Sequence, residues 1–339
     1  MPIPHTFGNP RAVPERGRPA AARERAARAG PAAARITGTP PPHPAGAPLS
    51  APSTHRPARR ARRALAVVFL LVVAGLPAGS STGGGTGSGT LRVLQMNLCN
   101  SGRAGCWTGR AVPRAAEVIA AELPDVVTLN EVCRDDVDTL ERALAGRHAG
   151  GRVVSAFQAA GDRPSGSATR CNNGQPYGIG LLARLDARGD RPEVHRGTYP
   201  AQDPADPEER VWLCLHAAAV LHACTTHLAN TDGAVALAQC GQLVGAVVPA
   251  IRRAEGYAPT VLGGDLNLRA GGVPDVRSCV PPDYRRVDDG ARQQIMATSD
   301  VTICCHRAVD MRGSTDHPAL LATLTVGGGA PAGSSTIAR

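Results

Sequence analysis

Pro124-Asp125-Val126-Val127-Thr128-Leu129-Asn130-Glu131 has an apolar middle and stops on an amide and an acid. Two Val, a Thr and a Leu in so short a run predict a buried strand over 125–129. A strand that turns abruptly polar puts its polar end at the rim of a sheet. There a rigid scaffold can aim a side chain into a cleft. Three other apolar runs end the same way. The alternating run 91–96 ends in Asn97. The run 218–226 ends in His227. The run 260–262 passes through Gly263-Gly264 into Asp265-Leu266-Asn267. Near the C-terminus, Thr315-Asp316-His317 stands just before a last apolar run, 319–326. Each has an ordinary reading when taken singly. Asn97 and Asp265-Leu266-Asn267 suit turns, Glu131 suits a loop, and His227 suits a core position satisfied by backbone. Together they form a set of oxygen and imidazole donors delivered by successive strands.

Between these strands the apolar spacing is helical over 113–123, 135–145 and 235–248. Further strands are predicted at 179–183 and at 211–215, the latter pairing with 218–226. There is no internal repeat. Strands and helices mix along the whole run, which predicts α/β layers with helices covering sheets.

The order of these motifs resembles the endonuclease/exonuclease/phosphatase superfamily. Met96-Asn97-Leu98 and Pro124 to Val132 are similar to its first two motifs. Tyr177-Gly178-Ile179-Gly180-Leu181-Leu182-Ala183 is similar to a Gly-containing strand of that family. Thr226-His227-Leu228 resembles its histidine motif, Gly263-Gly264-Asp265-Leu266-Asn267 its G-D-x-N motif, and Ser314-Thr315-Asp316-His317-Pro318 its terminal S-D-H-x-P motif. The resemblance spans about residues 91–326. It implies an α/β (α+β) fold, a four-layer sandwich of two packed mixed β-sheets flanked by helices, over a catalytic domain at 91–327. It also implies hydrolysis of a phosphoester assisted by Mg²⁺ or Mn²⁺. Asn97 and Glu131 match metal-site positions, with Glu131 the main carboxylate. Asp265 matches the residue that orients or deprotonates the attacking water. Asn267 matches an amide that holds the phosphate or that water. His227 and His317 match the pair that contacts the phosphoryl oxygens. Asp316 matches the partner that fixes His317 or supports the metal. Tyr177 and Arg110 are further candidates for phosphate contact. These residue types suit the chemistry: Mg²⁺ prefers oxygen ligands and keeps several waters, and carboxylate with imidazole is a common acid–base set.

One motif departs. The family carries an Asp in a strand before the last motif, and the matching stretch here is Gln293-Gln294-Ile295-Met296-Ala297, with Gln294 at the Asp position. An amide there is expected to hold an imidazole by hydrogen bonding without stabilising its cation as well as a carboxylate would.

Charge and cysteine use divide the chain. Residues 1–80 hold twelve Arg against two acids, so residues 81–339 carry 25 basic and 26 acidic residues. The overall charge of +9 is therefore a property of the leader, and the body has no global field to draw in a polyanion. Every basic residue is Arg, which fits a GC-rich bacterial source. Residues 1–63 have the composition of disorder. Arg59-Arg60-Ala61-Arg62-Arg63, the apolar run 64–76 and the small residues to 80 read as a secretory signal, with a Gly/Ser/Thr linker over 81–90 and a disordered tail at 328–339. The run is short for a membrane span, but an uncleaved anchor is the alternative. All ten Cys lie between Cys99 and Cys305, an even number beyond an export signal, which predicts disulfides. Cys99 with Cys106, and Cys214 with Cys224 across a hairpin, are the two pairs that come cheaply.

Three substrate readings follow. A secreted nuclease or other phosphodiesterase fits the histidine motif, which is similar to pancreatic-type deoxyribonucleases and bacterial sphingomyelinases. Loop residues Arg103, Arg110, Arg134, Arg163 and Arg170 are then candidates for backbone contact. A sphingomyelinase-type phospholipase or an inositol-phosphate phosphatase is the alternative. The lipid reading asks for an apolar lip, for which Trp107 is the best residue. A catalytically inactive extracellular binding module is the reading of a different class, and the Gln294 departure is its support. The partner expected is a phosphoester substrate, nucleic acid or phospholipid head group, with no stable protein partner and a monomeric state.

Overall fold

The computed structural model describes residues 89–146, 151–186, 192–217 and 221–326. The predicted leader, signal segment and tail lie outside the described residues, as does the linker up to residue 88. Among the described residues, fifteen strands and four α-helices follow in the order β1 (Gly89–Asn97), α1 (Ala111–Glu122), β2 (Val126–Cys133), α2 (Arg134–Ala145), β3 (Gly151–Ala159), β4 (Gly161–Asp162), β5 (Ser167–Ala168), β6 (Tyr177–Asp186), β7 (Glu193–Thr198), β8 (Glu208–Glu209), β9 (Val211–Ala217), β10 (Leu221–His227), α3 (Gly233–Gln242), α4 (Val248–Glu255), β11 (Thr260–Asp265), β12 (Tyr284–Asp288), β13 (Gln293–Thr298), β14 (Val301–Val309) and β15 (Ala319–Val326). A π-helical turn, Leu243–Val247, joins α3 to α4.

Two six-stranded mixed sheets form the centre. The first has the order β14-β15-β1-β2-β6-β3 and the second β12-β13-β11-β10-β9-β7. In each, one central pair is parallel, β1 with β2 and β10 with β11, and the other neighbours are antiparallel. The short strands β5, β4 and β8 make a small separate sheet.

Strand alternation builds the layers, because successive side chains leave a strand on opposite faces. Val93, Val126 and Leu181 of the first sheet meet Leu213, Val261 and Ile295 of the second in one buried core. Their neighbours Leu94, Val127 and Leu182 turn the other way, onto Ile119 of α1 and Leu140 of α2. Cys224, Leu262 and Met296 likewise turn outward onto Cys240, Val248 and Ile251 of the α3–α4 run. The result is the four-layer sandwich expected. Each fully buried Leu or Val contributes about 1.5–3 kcal/mol of transfer free energy. The run Gly233–Glu255 is long and apolar enough to cross a membrane by length and composition, but packing against the second sheet already accounts for its apolar face.

Local signals set the ends of these elements. Leu123 adopts a left-handed conformation and its N–H bonds Ile119 O, after which Pro124 cannot continue the helix. Asp232 caps α3 by accepting from the N–H groups of Ala234 and Val235. The first strand begins at Gly89, two residues before the predicted start, and pairs from there with Val326.

Cysteines 99–106, 133–171, 214–224 and 240–279 form disulfides. Both pairs expected from sequence are among them, and Cys214 and Cys224 face each other in register across the β9–β10 hairpin. Cys304 and Cys305 are free and exposed.

Candidate active site

The ends of β1, β2, β10 and β11 meet at one rim of the two sheets, because both parallel pairs point the same polar residues there. Asn97 is in register with Asn130, and His227 with Asp265. Beneath the rim, a buried polar ladder joins the two sheets. Thr128 Oγ1 donates to Gln95 Oε1 (2.5 Å). Gln95 Nε2 donates to Asn130 Oδ1 (2.7 Å) and Gln293 Oε1 (2.9 Å). Asn130 Oδ1 also accepts from the Asp265 N–H (2.7 Å), and Asn130 Nδ2 donates to Thr226 O (3.0 Å). Side-chain amides that both give and accept can satisfy one another in a dry interior, where an unpaired polar atom costs about 1–3 kcal/mol. The ladder therefore fixes the spacing between the sheets just where they carry the site.

Glu131 sits inside β2, not after it. The pairing of β2 with β6 shifts register between Leu129 and Val132, and Glu131 takes φ 55°. A bulge with a left-handed non-glycine residue re-aims one side chain at a local cost, and such strain gathers at functional sites. Glu131 Oε1 accepts from Asn97 Nδ2 (2.8 Å). Burial raises its pKa above the ordinary value of 4.5; the Asn97 hydrogen bond opposes the rise, and the charges of Asp265 and Asp316 add to it.

Asp265 lies at the centre. Its Oδ2 accepts from Gln293 Nε2 (2.9 Å) and Asn97 Nδ2 (3.2 Å), and His317 Nε2 is 3.5 Å away. Its Oδ1 accepts from the N–H of Asn267 (3.0 Å), a residue with φ 51°. Asn267 Nδ2 is held by Leu228 O (2.9 Å). Asp316 is half-exposed beside His317, with Oδ2 3.8 Å from Nε2. The Cys99–Cys106 sulfurs lie within 4.8 Å of an Asp316 carboxylate oxygen, so the disulfide loop walls that side. A groove of about 580 Å³ leads away from Asn267, Asp316 and His317 between Arg269, Arg292 and Pro274.

His227 Nε2 lies 3.9 Å from Glu131 Oε1. Its Nδ1 faces Arg210 Nη1 at 3.0 Å. Burial, then the charges of Arg210 and His317, hold its pKa well below the usual histidine range. Arg210 is itself buried and bound to Asp206 (2.6 Å) and Glu208 (3.3 Å). Burial pushes the Glu208 carboxyl up to about 7, against the pull of Arg210.

The structure thus gathers Asn97, Glu131, His227, Asp265, Asn267, Asp316 and His317 in one site. Tyr177 is buried with Cys133, Ala160 and Cys171, and desolvation, then the charges of Glu208 and Glu131, raise its pKa well above the ordinary tyrosine value. Arg110 does not join the cluster; its guanidinium donates to Gly313 O (3.1 Å) and secures the loop before Asp316. Arg134, Arg163 and Arg170 are engaged by Asp138, by the carbonyls of Asp203 and Asp206, and by Gly174 O. Gln294 corrects the sequence reading. It faces away from the site, accepting from Arg286 Nη1 (2.5 Å) and donating to Leu268 O (3.3 Å). One residue along a strand reverses the face, so Gln293 is the amide in the site, and it holds Asp265 instead of an imidazole. Arg210, Gln293 and the Gln95–Asn130 ladder were missed. Gln95, alternating with Leu94 and Met96 in a buried strand, was the available signal for the ladder.

No protein-family model matches the chain, and no curated protein does. Solved structures do. An endonuclease/exonuclease/phosphatase from Beutenbergia cavernae aligns over 70% of this chain and 72% of its own, at 20% identity and TM-score 0.52. The chain has the endonuclease/exonuclease/phosphatase fold. The human Nocturnin catalytic domain with bound sulfate shares it over 69% of this chain and 93% of its own, at 16% identity and TM-score 0.53. A mannosyl-6-phosphatase of Bacteroides thetaiotaomicron does so over 69% and 99%, at 13% identity and TM-score 0.50. At these identities the likeness is one of fold.

Proposed function

We propose that this chain is an exported, divalent-metal-dependent phosphoester hydrolase, of phosphodiesterase or nuclease type. The observation that carries it is the convergence of Glu131, Asp265, His227 and His317 from both sheets on one rim. Structures of this fold include a phosphatase and a domain that binds sulfate, a tetrahedral anion like phosphate.

The donor set fits a hard cation. The charges of Asp265 and Asp316 add to the cost of ionising the buried Glu131, and the nearby Arg210 is already shared with Asp206 and Glu208. Carboxylate oxygens suit Mg²⁺ or Mn²⁺, with Glu131 and Asp316 as the holders we propose. Asn97 presents its NH2 group to the carboxylates, while its oxygen accepts from the Cys99 N–H (3.0 Å). Ligation by that oxygen therefore requires the amide to turn over. Such an ion polarises a phosphoryl oxygen and offsets developing negative charge.

The chain's own residues supply the rest. Asp265, locked by Gln293 and Asn97, orients the attacking water and draws its proton. His317, beside both Asp265 and Asp316, meets a phosphoryl oxygen from one side and His227 meets one from the other. Asn267 Oδ1, with its amide nitrogen pinned, helps to hold the water. The near-neutral body favours a diester recognised locally over a polyanion held by field. Among the described residues, the exposed large apolar side chains Trp107, Leu123, Tyr257 and Val273 lie in separate segments, which fits a monomer. Four disulfides fit an oxidising compartment, reached by export through residues 64–80 or with that segment kept as an anchor.

The test is a hydrolysis panel on the oxidised protein: plasmid DNA, RNA, sphingomyelin, an inositol phosphate and bis-p-nitrophenyl phosphate, each with Mg²⁺, Mn²⁺ or EDTA. Metal-dependent turnover lost in Glu131→Ala and His317→Ala is expected. A folded, oxidised chain that turns over none of them would favour the binding-module reading.

A further inference from the structure

A ring nitrogen that faces an obligate donor must accept. Arg210 Nη1 lies 3.0 Å from His227 Nδ1, and a guanidinium offers only N–H groups. The Nδ1 atom must therefore present its lone pair, and the single ring proton must sit on Nε2. We propose that Arg210 fixes His227 as its Nε2–H tautomer, so that this imidazole enters the site as a hydrogen-bond donor and not as a proton acceptor.

The surroundings enforce that direction. Arg210 is nearly fully buried and cannot swing away. Its Nη2 donates to Asp206 Oδ2 (2.6 Å) and reaches Asn230 Oδ1 (3.5 Å), and Glu208 Oε1 is 3.3 Å from Nη1. Its own charge is thus balanced by Asp206 at Nη2 and by Glu208 at Nη1, the nitrogen that also faces the ring. His227 is buried at the end of β10, and the atom it turns toward the rim is Nε2, 3.9 Å from Glu131 Oε1. A carboxylate beside Nδ1 would do the opposite: it would hold a proton there and leave Nε2 with a lone pair. The polarity of this histidine is therefore the reverse of a carboxylate-backed one. It makes Arg210 a positioning residue, acting through His227.

The consequence for catalysis rests on the hydrolase reading; the tautomer does not. If the site hydrolyses a phosphoester, His227 donates Nε2–H to a non-bridging oxygen, and proton transfer falls to Asp265 and His317, which face each other at 3.5 Å.

Long-range ¹H–¹⁵N correlation of the labelled, oxidised protein reads the ring directly, before any metal or ligand is added. The expected pattern for His227 is an unprotonated Nδ1 and a protonated Nε2 at neutral pH. A protonated Nδ1, alone or with Nε2, would overturn the proposal whatever the enzyme does. Inorganic phosphate with Mg²⁺ is then expected to move the Nε2–H resonance downfield; an unmoved signal would remove the donor role while leaving the tautomer standing. Arg210→Gln is expected to mix the two tautomers in the same spectrum. On bis-p-nitrophenyl phosphate it should lower kcat by about tenfold or more, with KM nearly unchanged. A folded Arg210→Gln protein that keeps the wild-type ring pattern would show that Arg210 does not set it.

Discussion

Glu131 shows how one residue couples stability to function. Its carboxyl is buried and its pKa is raised from 4.5. An acid whose folded pKa exceeds its unfolded one binds its proton more tightly in the folded state. Stability from this group is greatest at low pH and falls as pH rises from the unfolded toward the folded value. At neutral pH the metal-free chain carries that cost. Glu131→Gln should therefore abolish hydrolysis yet stabilise the metal-free fold by on the order of 1 kcal/mol, measured by urea unfolding; a clear loss of stability would contradict this account. Mg²⁺ at a hundred times its Kd should stabilise the wild type by about 2.7 kcal/mol and leave Glu131→Gln unchanged. The apparent Kd should also weaken on acidification while the pH is still above 4.5, because protons compete for a carboxylate that already prefers them.

At the scale of elements, the packing of β10 against β11 decides whether the site exists. His227 and Asp265 are a register pair of these strands. A Cβ on Gly264 would collide with the Thr226 carbonyl oxygen and come within 3.4 Å of the Thr226 backbone nitrogen. The strands would have to part, since backbone cannot rotate away. Gly264→Ala is expected to cost about 1–3 kcal/mol and to lower kcat, with thermal unfolding and steady-state rates as the two measurements. An activity loss without destabilisation would point to a role for Gly264 other than this contact. The elements read correctly from sequence were those with two buried faces or a helical stripe. Within the two six-stranded sheets, the four strands not predicted, β3, β7, β12 and β14, are the four edges. Edge strands alternate or mix polar residues with apolar ones and so lack the continuous apolar run that marks a buried strand. Glu193-Val-His-Arg-Gly-Thr198 is such a case.

The whole molecule is held by cross-links as well as by its cores. The Cys133–Cys171 and Cys240–Cys279 bridges close loops of 38 and 39 residues, each worth about 4 kcal/mol in the chain-entropy account. Reduction should lower the melting temperature markedly, and Cys133→Ser with Cys171→Ser should account for more of the loss than the pair Cys99 and Cys106, whose loop spans 7 residues. The charge balance of residues 81–339 argues for local recognition of substrate. Plots of log KM against log salt for an oligonucleotide should have a slope of about 1–2 at most, the signature of one or two phosphate contacts. A steeper slope would reveal a basic track that the fold does not suggest.

The sequence by itself determined the layered class, the central strands and the donors at their ends, because each of these is a local pattern: apolar period, then a polar residue, in order. It also marked Cys214 with Cys224, and Cys99 with Cys106, as pairs that come cheaply, and left the rest of the connectivity open. Tertiary structure alone decided which donors meet. Strand parity turned Gln293 inward and Gln294 outward, a one-residue matter that only the pairing of β13 with β11 fixes. The bulge that aims Glu131 is a register shift in which β2 advances from Leu129 to Val132 while β6 advances only from Gly180 to Gly178. Arg210, 17 residues from His227 and unmarked by any motif, becomes its partner only through the fold, because the hydrogen bond depends on where two hairpin strands place their ends and not on what either strand spells.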